Sequence, residues 1–348
     1  MSFHPYLPKR PAVRRKLKAA LQPIERQARE LVQRRPTGVS GRTLVASAVG
    51  LVAGALAVWV ASKARQAERD HPPTGRFIEL EGVRLHYTER GEGPPVVLIH
   101  GNVVTSADFQ ASGLVDALSA HHRVIAFDRP GFGHSTRPRN RLWTPSAQAY
   151  LLYRALQQLG IDKPVVVGHS MGTLVALALA LDHPGAVQRL VLLSGYHYPA
   201  LRVDALLTAP AALPVIGDVM RYTVTAAGSR ALMNPALQAM FKPEAVPPDF
   251  LPTLHKEILV RPVQLRANAE DAAFMMSAAR SLSERYPELE MPVAILAGLD
   301  DAIVDAAAHS ERLHQAVPQS RYTAVRGVGH MVHHGALAEV VAAIHGDD

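Results

Sequence analysis

Two glycines stand two residues either side of Ser170, at the junction of an apolar β-branched run and an apolar helix-forming run. The order is PVVVG (164–168), His169-Ser170-Met171-Gly172, then TLVALALAL (173–181). A chain that passes from strand to helix in so few residues must turn very tightly. Side chains two residues from the centre of such a turn would collide, which is the physical reason for glycine at 168 and 172. The turn requires a strand before it and a helix after it, and it lifts residue 170 clear at the C-terminal edge of a sheet.

The rest of the chain from about residue 76 repeats this alternation. FIEL (77–80) and VRLHYTE (83–89) flank Glu81-Gly82 and predict a hairpin. PVVLIHG (95–101), RVIAFD (123–128), RLVLLSG (189–195), PVAILAG (292–298) and RYTAVRG (321–327) are further short strand-like runs, most of them separated by helical stretches. Continuous apolar strands alternating with helices predict an α/β fold with a mostly parallel sheet covered on both faces. The interval from 196 to 291 is too long for an ordinary crossover. Prolines such as Pro210, Pro235 and Pro262 chop it, and helix-like patches such as 237–241 and 270–282 lie between them. It reads as an inserted helical lid over about 196–290. Five of the nine methionines fall in it, which fits either packing of the lid on the body or a greasy channel.

Residues 43–62 carry no charge and no proline. Twenty residues at 1.5 Å each span about 30 Å, the hydrocarbon thickness of a bilayer, so this run predicts an N-terminal transmembrane helix. A cleaved signal peptide fits worse, because the charged region is 42 residues long and no A-x-A site follows. Residues 1–42 hold eleven Lys and Arg against Glu25 and Glu30, which leaves 26 basic against 28 acidic residues in the remainder. The net charge of +7 therefore belongs to the tail and does not mark a nucleic-acid-binding body. The positive-inside rule puts the 1–42 tail in the cytoplasm and the body, 76–346, on the extracytoplasmic side. Val13, Leu17, Leu21, Ile24, Ala28 and Leu31 recur at helical spacing within the tail and suit either an amphipathic helix on anionic lipid or a solvated basic segment. Cysteine is absent, which excludes disulfides, thiol catalysis and thiolate metal sites.

A serine lifted on such a turn, between a strand and a helix, is placed as a nucleophile, and a hydroxyl needs a base. Ser170 is followed in chain order by Asp300 and Asp301 in GLDDAIV and by His330 in GVGH, each just beyond a strand-like run. The carboxylate would fix the imidazole tautomer and stabilise the imidazolium. The backbone N–H groups of Asn102, just after the run 95–101, and of Met171 are placed to form an oxyanion hole.

These pieces resemble the α/β-hydrolase superfamily, in its branch of lidded serine esterases, lipases and carbon–carbon-bond hydrolases. HGN (100–102), DRPGFGHS (128–135), GHSMG (168–172), GLDD (298–301) and GVGH (327–330) fall in the family's order across about residues 76–346. The resemblance implies Ser170, Asp301 and His330 as the triad, because the family's acid usually stands third after the glycine of its loop. Serine at the elbow departs from the dehalogenases and epoxide hydrolases, which carry aspartate there.

The other histidines have plainer expectations. His330, His333 and His334 spell H-x-x-H-H, but no acidic residue lies close by, so supporting or surface roles are expected and no metal. His100 is expected to brace its loop, His169 to pack, and Asp128 and Arg129 to shape the loop after their strand. The resulting expectation is a membrane-anchored, cofactor-free serine hydrolase acting on a lipophilic small-molecule carboxylic ester, with protein partners unknown. One rival is a dienone carbon–carbon hydrolase that would hold a substrate carboxylate on Arg261 or Arg266. Another is a non-catalytic ligand receptor on the same fold.

Overall fold

The computed structural model describes residues 41–200 and 209–346. The expected basic tail and its amphipathic pattern lie outside the described residues, apart from the last residues before the apolar run. The chain divides into two units, 1–58 and 59–348. The first contains most of the apolar run, which forms part of one helix, Gly41–Asp70. That helix has a window of mean hydropathy 2.3 that is almost wholly exposed. It ends just before Pro72-Pro73, where the chain cannot remain helical.

The second unit is built on an eight-stranded sheet. The strands are β1 (Arg76–Leu80), β2 (Val83–Arg90), β3 (Pro95–Ile99), β4 (Arg123–Phe127), β5 (Val165–His169), β6 (Arg189–Leu193), β7 (Val293–Gly298) and β8 (Ser320–Val325). Their spatial order is β1-β2-β4-β3-β5-β6-β7-β8. β2 runs antiparallel to β1 and β4, and every other pairing is parallel. The loops that follow β3, β4, β5, β7 and β8 therefore all emerge at one edge of the sheet. Helices Pro145–Gln158 and Met171–Asp182 help cover one face and helices Leu114–Ser119 and Leu337–His345 the other, each over its own apolar core. β5 is buried along its whole length, and so are residues 171–181 of the helix after it. An apolar helix with no polar face has to be buried on all sides, which is how the run 173–181 differs from an ordinary surface helix.

Between β6 and β7 the described residues contain helices and turns and no strand. The longest helices are Val224–Phe241 and Pro262–Ser283. Pro262 opens its helix, but Pro235 lies inside the other, so not every proline breaks the insert as its sequence suggested. The cost of a proline inside a helix, about 3 kcal/mol for the lost bond and the ring clash together, is offset by burial of Met233, Leu237, Met240 and Phe241 in a third core with Phe250 and Leu254. Met233, Met240 and Met275 are packing residues, whereas Met276 is exposed.

The elbow glycines have no room for a side chain. A Cβ on Gly172 would stand 2.2 Å from the Ile99 carbonyl oxygen, and one on Gly168 would stand 2.7 Å from the Gly172 carbonyl oxygen. Both obstacles are backbone and cannot rotate away. Gly228, inside helix Val224–Phe241, faces open space. Gly172→Ala is therefore expected to cost at least about 2 kcal/mol of stability, and Gly228→Ala to add about 0.5–1 kcal/mol. Urea unfolding midpoints of the two variants check both signs.

Candidate active site

The strand-to-helix turn forces Ser170 to φ 52° and ψ −119°, a conformation that a non-glycine residue holds only when its surroundings impose it. They do so here through backbone bonds. Ser170 N–H donates to the Leu193 carbonyl at the end of β6 (2.9 Å), and Thr173 N–H and Oγ1 donate back to the Ser170 carbonyl (3.0 and 2.6 Å). The side chain is left at the edge of the sheet, 8 % exposed.

The loops after β7 and β8 meet it there. His330 Nδ1–H donates to Asp301 Oδ2 (2.8 Å), which leaves Nε2 to accept from the Ser170 hydroxyl (2.9 Å). The other oxygen of Asp301 accepts from the N–H groups of Ile303 (2.7 Å) and Val304 (2.9 Å). Asp300 points elsewhere and accepts from Gly327 N–H (2.8 Å). The backbone of His330 is also held: its N–H donates to the Met240 carbonyl of the insert (3.1 Å), and its carbonyl accepts from His169 Nε2–H (3.1 Å). Gly329 sits so close to the Lys242 carbonyl that a Cβ would overlap it at 1.8 Å.

The loop after β3 packs against the elbow, with a Cβ at Gly101 meeting Ser170 Cβ at 3.0 Å. Its shape depends on Arg129, which is fully buried. Arg129 donates to the His100 carbonyl (2.9 Å), the Gly101 carbonyl (3.0 Å), Asn102 Oδ1 (2.8 Å) and Gln148 Oε1 (3.0 Å), and it pairs with Asp271 of helix Pro262–Ser283. Asp271, also fully buried, takes further bonds from Arg137 (2.9 Å) and Gln148 (3.1 Å). Arg129 thus ties the β3 loop to the insert, a reach the sequence did not suggest. Met171, at the first position of its helix, has a backbone N–H that no helical carbonyl can satisfy.

The expectation that His333 and His334 lack an acidic partner is corrected. Asp108, 225 residues earlier in the chain, accepts from His333 Nε2–H (3.0 Å) and His334 Nε2–H (2.9 Å). The three side chains carry metal-capable atoms within 4.8 Å of one another. The remaining nitrogen of His333, Nδ1, is buried with no hydrogen-bond partner. The cluster fixes the chain just after His330. Burial alone would push the Asp108 carboxyl up, but the charge and hydrogen bond of His333, then those of His334, hold it well below the usual carboxylate range. Burial, reinforced by His333 and His330, pushes His169 far down. Burial and the neighbouring Arg129 bring His100 down to about 4, and burial brings His197 down to about 3.

Arg261 and Arg266 are both buried and already partnered. Arg261 pairs with Glu68 (2.7 Å) and donates to the Gly133 carbonyl, while Arg266 pairs with Glu270 (3.1 Å) and donates to the Arg137 carbonyl. A separate cavity of about 550 Å³ lies on the β2–β4 side, lined by His86, Thr105, Asp128, His134, Thr253 and His255 among others, and none of Ser170, Asp301 or His330 lines it.

Residues 94–336 match the family described as alpha/beta hydrolase fold. Among curated proteins, the 2-hydroxymuconate semialdehyde hydrolase of Pseudomonas putida is 33 % identical over 186 residues, 53 % of this chain and 66 % of that one, just under two thirds of its length. Among solved structures, an esterase from Thermogutta terrifontis superposes with a TM-score of 0.62 at 25 % identity, covering 78 % of this chain and 96 % of that one. An α/β-hydrolase-fold protein from Burkholderia ambifaria gives 0.65 at 22 % identity, covering 77 % and 96 %.

The lowered histidines have a thermodynamic consequence. Between their folded pKa and the ordinary value of about 6.5, the unfolded chain binds a proton that the folded chain does not, so their stability contribution is complete above about pH 6.5 and falls as pH drops. Each such group contributes a slope of up to about 1.4 kcal/mol per pH unit. The lowered Asp108 adds loss in the same direction, but only below about pH 4. Unfolding free energy is expected to fall from pH 6.5 to 5. His197→Gln, which removes a histidine with no hydrogen-bond partner on either ring nitrogen, should lower that slope by about one proton. Urea titrations at the two pH values measure it.

Proposed function

Because the chain belongs to the α/β-hydrolase fold family, we propose that it is a hydrolase that cleaves carboxylic esters through Ser170, His330 and Asp301. The observation that carries this reading is the continuous line of hydrogen bonds from Asp301 through His330 to a serine held at positive φ. His330 removes the Ser170 proton as the hydroxyl attacks the ester carbonyl, and Asp301 stabilises the imidazolium. The tetrahedral oxyanion is met by the N–H groups of Asn102 and Met171, each such donor being worth about 10²–10³ in rate. His330 then returns the proton to the leaving alcohol. Water attacks the acyl-enzyme by the same route and releases the acid. No cofactor enters the cycle.

The helical insert, about 196–290, acts in this proposal as a lid, and the ester it covers carries a lipophilic acyl or alcohol group. Residues 43–62 anchor the protein in the cell membrane, with the 1–42 tail cytoplasmic and the catalytic body 76–346 on the far side. The length and hydropathy of helix Gly41–Asp70 support the anchor, and the basic residues before the apolar run support the orientation. A second reading, cleavage of a carbon–carbon bond in a ring-cleavage dienone by the same three residues, is favoured by the resemblance to the semialdehyde hydrolase. It is disfavoured by the buried setting of Arg261 and Arg266, each of which already pairs with an acidic residue of this chain.

A fluorophosphonate probe should label Ser170, and Ser170→Ala should abolish labelling and turnover together. Asp301→Asn should lower kcat by about 10⁴, and Asp300→Asn far less, since Asp300 faces Gly327. Rates on p-nitrophenyl esters of graded chain length, measured beside a dienone, separate the two readings. Faster turnover of medium or long chains than of acetate is expected, and a clear preference for the dienone would overturn the ester reading. Full-length protein should resist carbonate extraction from membranes, and protease added to spheroplasts should digest the body and spare the tail.

A further inference from the structure

Beyond helix Gly41–Asp70, eleven large apolar side chains are exposed among the described residues, and seven of them fall between 213 and 232. Six are the aliphatics Leu213, Val215, Ile216, Val219, Val224 and Leu232, each between 50 and 74 % exposed. Isolated exposed aliphatics are ordinary on a protein surface, but six within twenty consecutive residues, on and around two successive helices, point to an interaction face. The short helix Ile216–Arg221 within this group is inside out. Ile216 and Val219 face outward, while Arg221 is buried, donating to the Ala211 carbonyl and pairing with Asp218. A helix facing water would have the reverse arrangement.

What covers this face follows from where the apolar run ends. Trp59 is placed near the end of that run, and the guanidinium of Arg230, on helix Val224–Phe241, lies 5.1 Å from its ring. Beyond Trp59, Val60 and Ala67 are buried, Glu68 pairs with Arg261 (2.7 Å), and the rings of His71 and His255 stack at 3.7 Å. The residues that leave the apolar run are thus packed on the insert itself. An aromatic residue at the end of a membrane span sits at headgroup depth, so Arg230 sits there too. Val224 is six residues from Arg230 on the same helix, so about 9 Å separates the two along its axis.

We propose that the face formed by Leu213, Val215, Ile216, Val219, Val224 and Leu232 is a second membrane contact, embedded in the interface of the bilayer that holds the anchor. This inference rests on the anchor reading given above. It makes the insert a lipid-contacting element and assigns the protein esters that reside in the bilayer.

The absence of cysteine allows a direct test on the full-length chain. Single variants Val219→Cys, Val224→Cys, Leu142→Cys and Val52→Cys are labelled with a fluorophore and reconstituted in phosphatidylethanolamine–phosphatidylglycerol vesicles with brominated acyl chains. Leu142 is an exposed side chain outside the insert, and Val52 lies within the apolar run. Quenching at 219 and 224 should exceed that at 142 at least twofold. If 219 and 224 match 142 while 52 is quenched, the anchor stands and the second contact is wrong. If 52 is unquenched as well, the anchor reading fails and takes this inference with it. If unlabelled Val219→Cys is oxidised to a disulfide between two chains while the labelled variant remains unquenched, the face joins two copies and the inference is overturned. In a second measurement, Val219→Asp with Val224→Asp should slow hydrolysis of a fluorogenic ester dissolved in the vesicle at least tenfold, while leaving a water-soluble p-nitrophenyl ester within twofold. Equal effects on both esters would also overturn it.

Discussion

Everything at the site depends on the space that is missing beside Gly172. The elbow helix approaches the end of β3 so closely that one methyl group would meet the Ile99 carbonyl oxygen at 2.2 Å. That approach sets the turn, the turn sets the positive φ of Ser170, and the φ angle sends the side chain away from the sheet. The strain is held by backbone bonds to β6 and to the first turn of the helix. Loops at the ends of neighbouring parallel strands then need only short excursions to reach the serine. The site is a consequence of sheet geometry before it is a consequence of any side chain.

Much of this was legible in the sequence because it is local. The strands announce themselves as short β-branched runs, and the elbow as glycines at fixed spacing around Ser170. His330 and the Asp300–Asp301 pair stand directly after strand runs, so their arrival at one edge follows from a parallel sheet. Which aspartate meets the imidazole is a finer matter. It is decided by a turn in which Asp301 also collects the N–H groups of Ile303 and Val304, leaving Asp300 directed at Gly327. No periodicity carries that information; only resemblance to a family indicated the register.

The long-range polar contacts were not legible. Asp108 and His333 are 225 residues apart, and Arg129 and Asp271 are 142 apart. An aspartate in a helix ordinarily reads as a solvated charge, and nothing around Asp271 marks it as buried. These are polar and ionisable groups inside the protein, where an unpaired charge costs several kcal/mol. Their pairing is therefore obligatory once the fold exists, although no stretch of sequence announces it. Pro235 is the converse case, a residue whose local preference is overridden by the core beneath its helix.

The bond from His330 to the Met240 carbonyl, with the Lys242 carbonyl pressed against Gly329, bears on how such a chain can diversify. The insert supplies part of the seat for the imidazole's own loop, as Asp271 supplies part of the seat for the β3 loop. It is therefore not an interchangeable cassette. A transplanted insert with a different pocket would have to present two carbonyls and one carboxylate at these positions, or the recipient's histidine would lose its footing. Specificity on this scaffold is more readily retuned by side-chain replacement within the existing helices than by exchange of the whole segment.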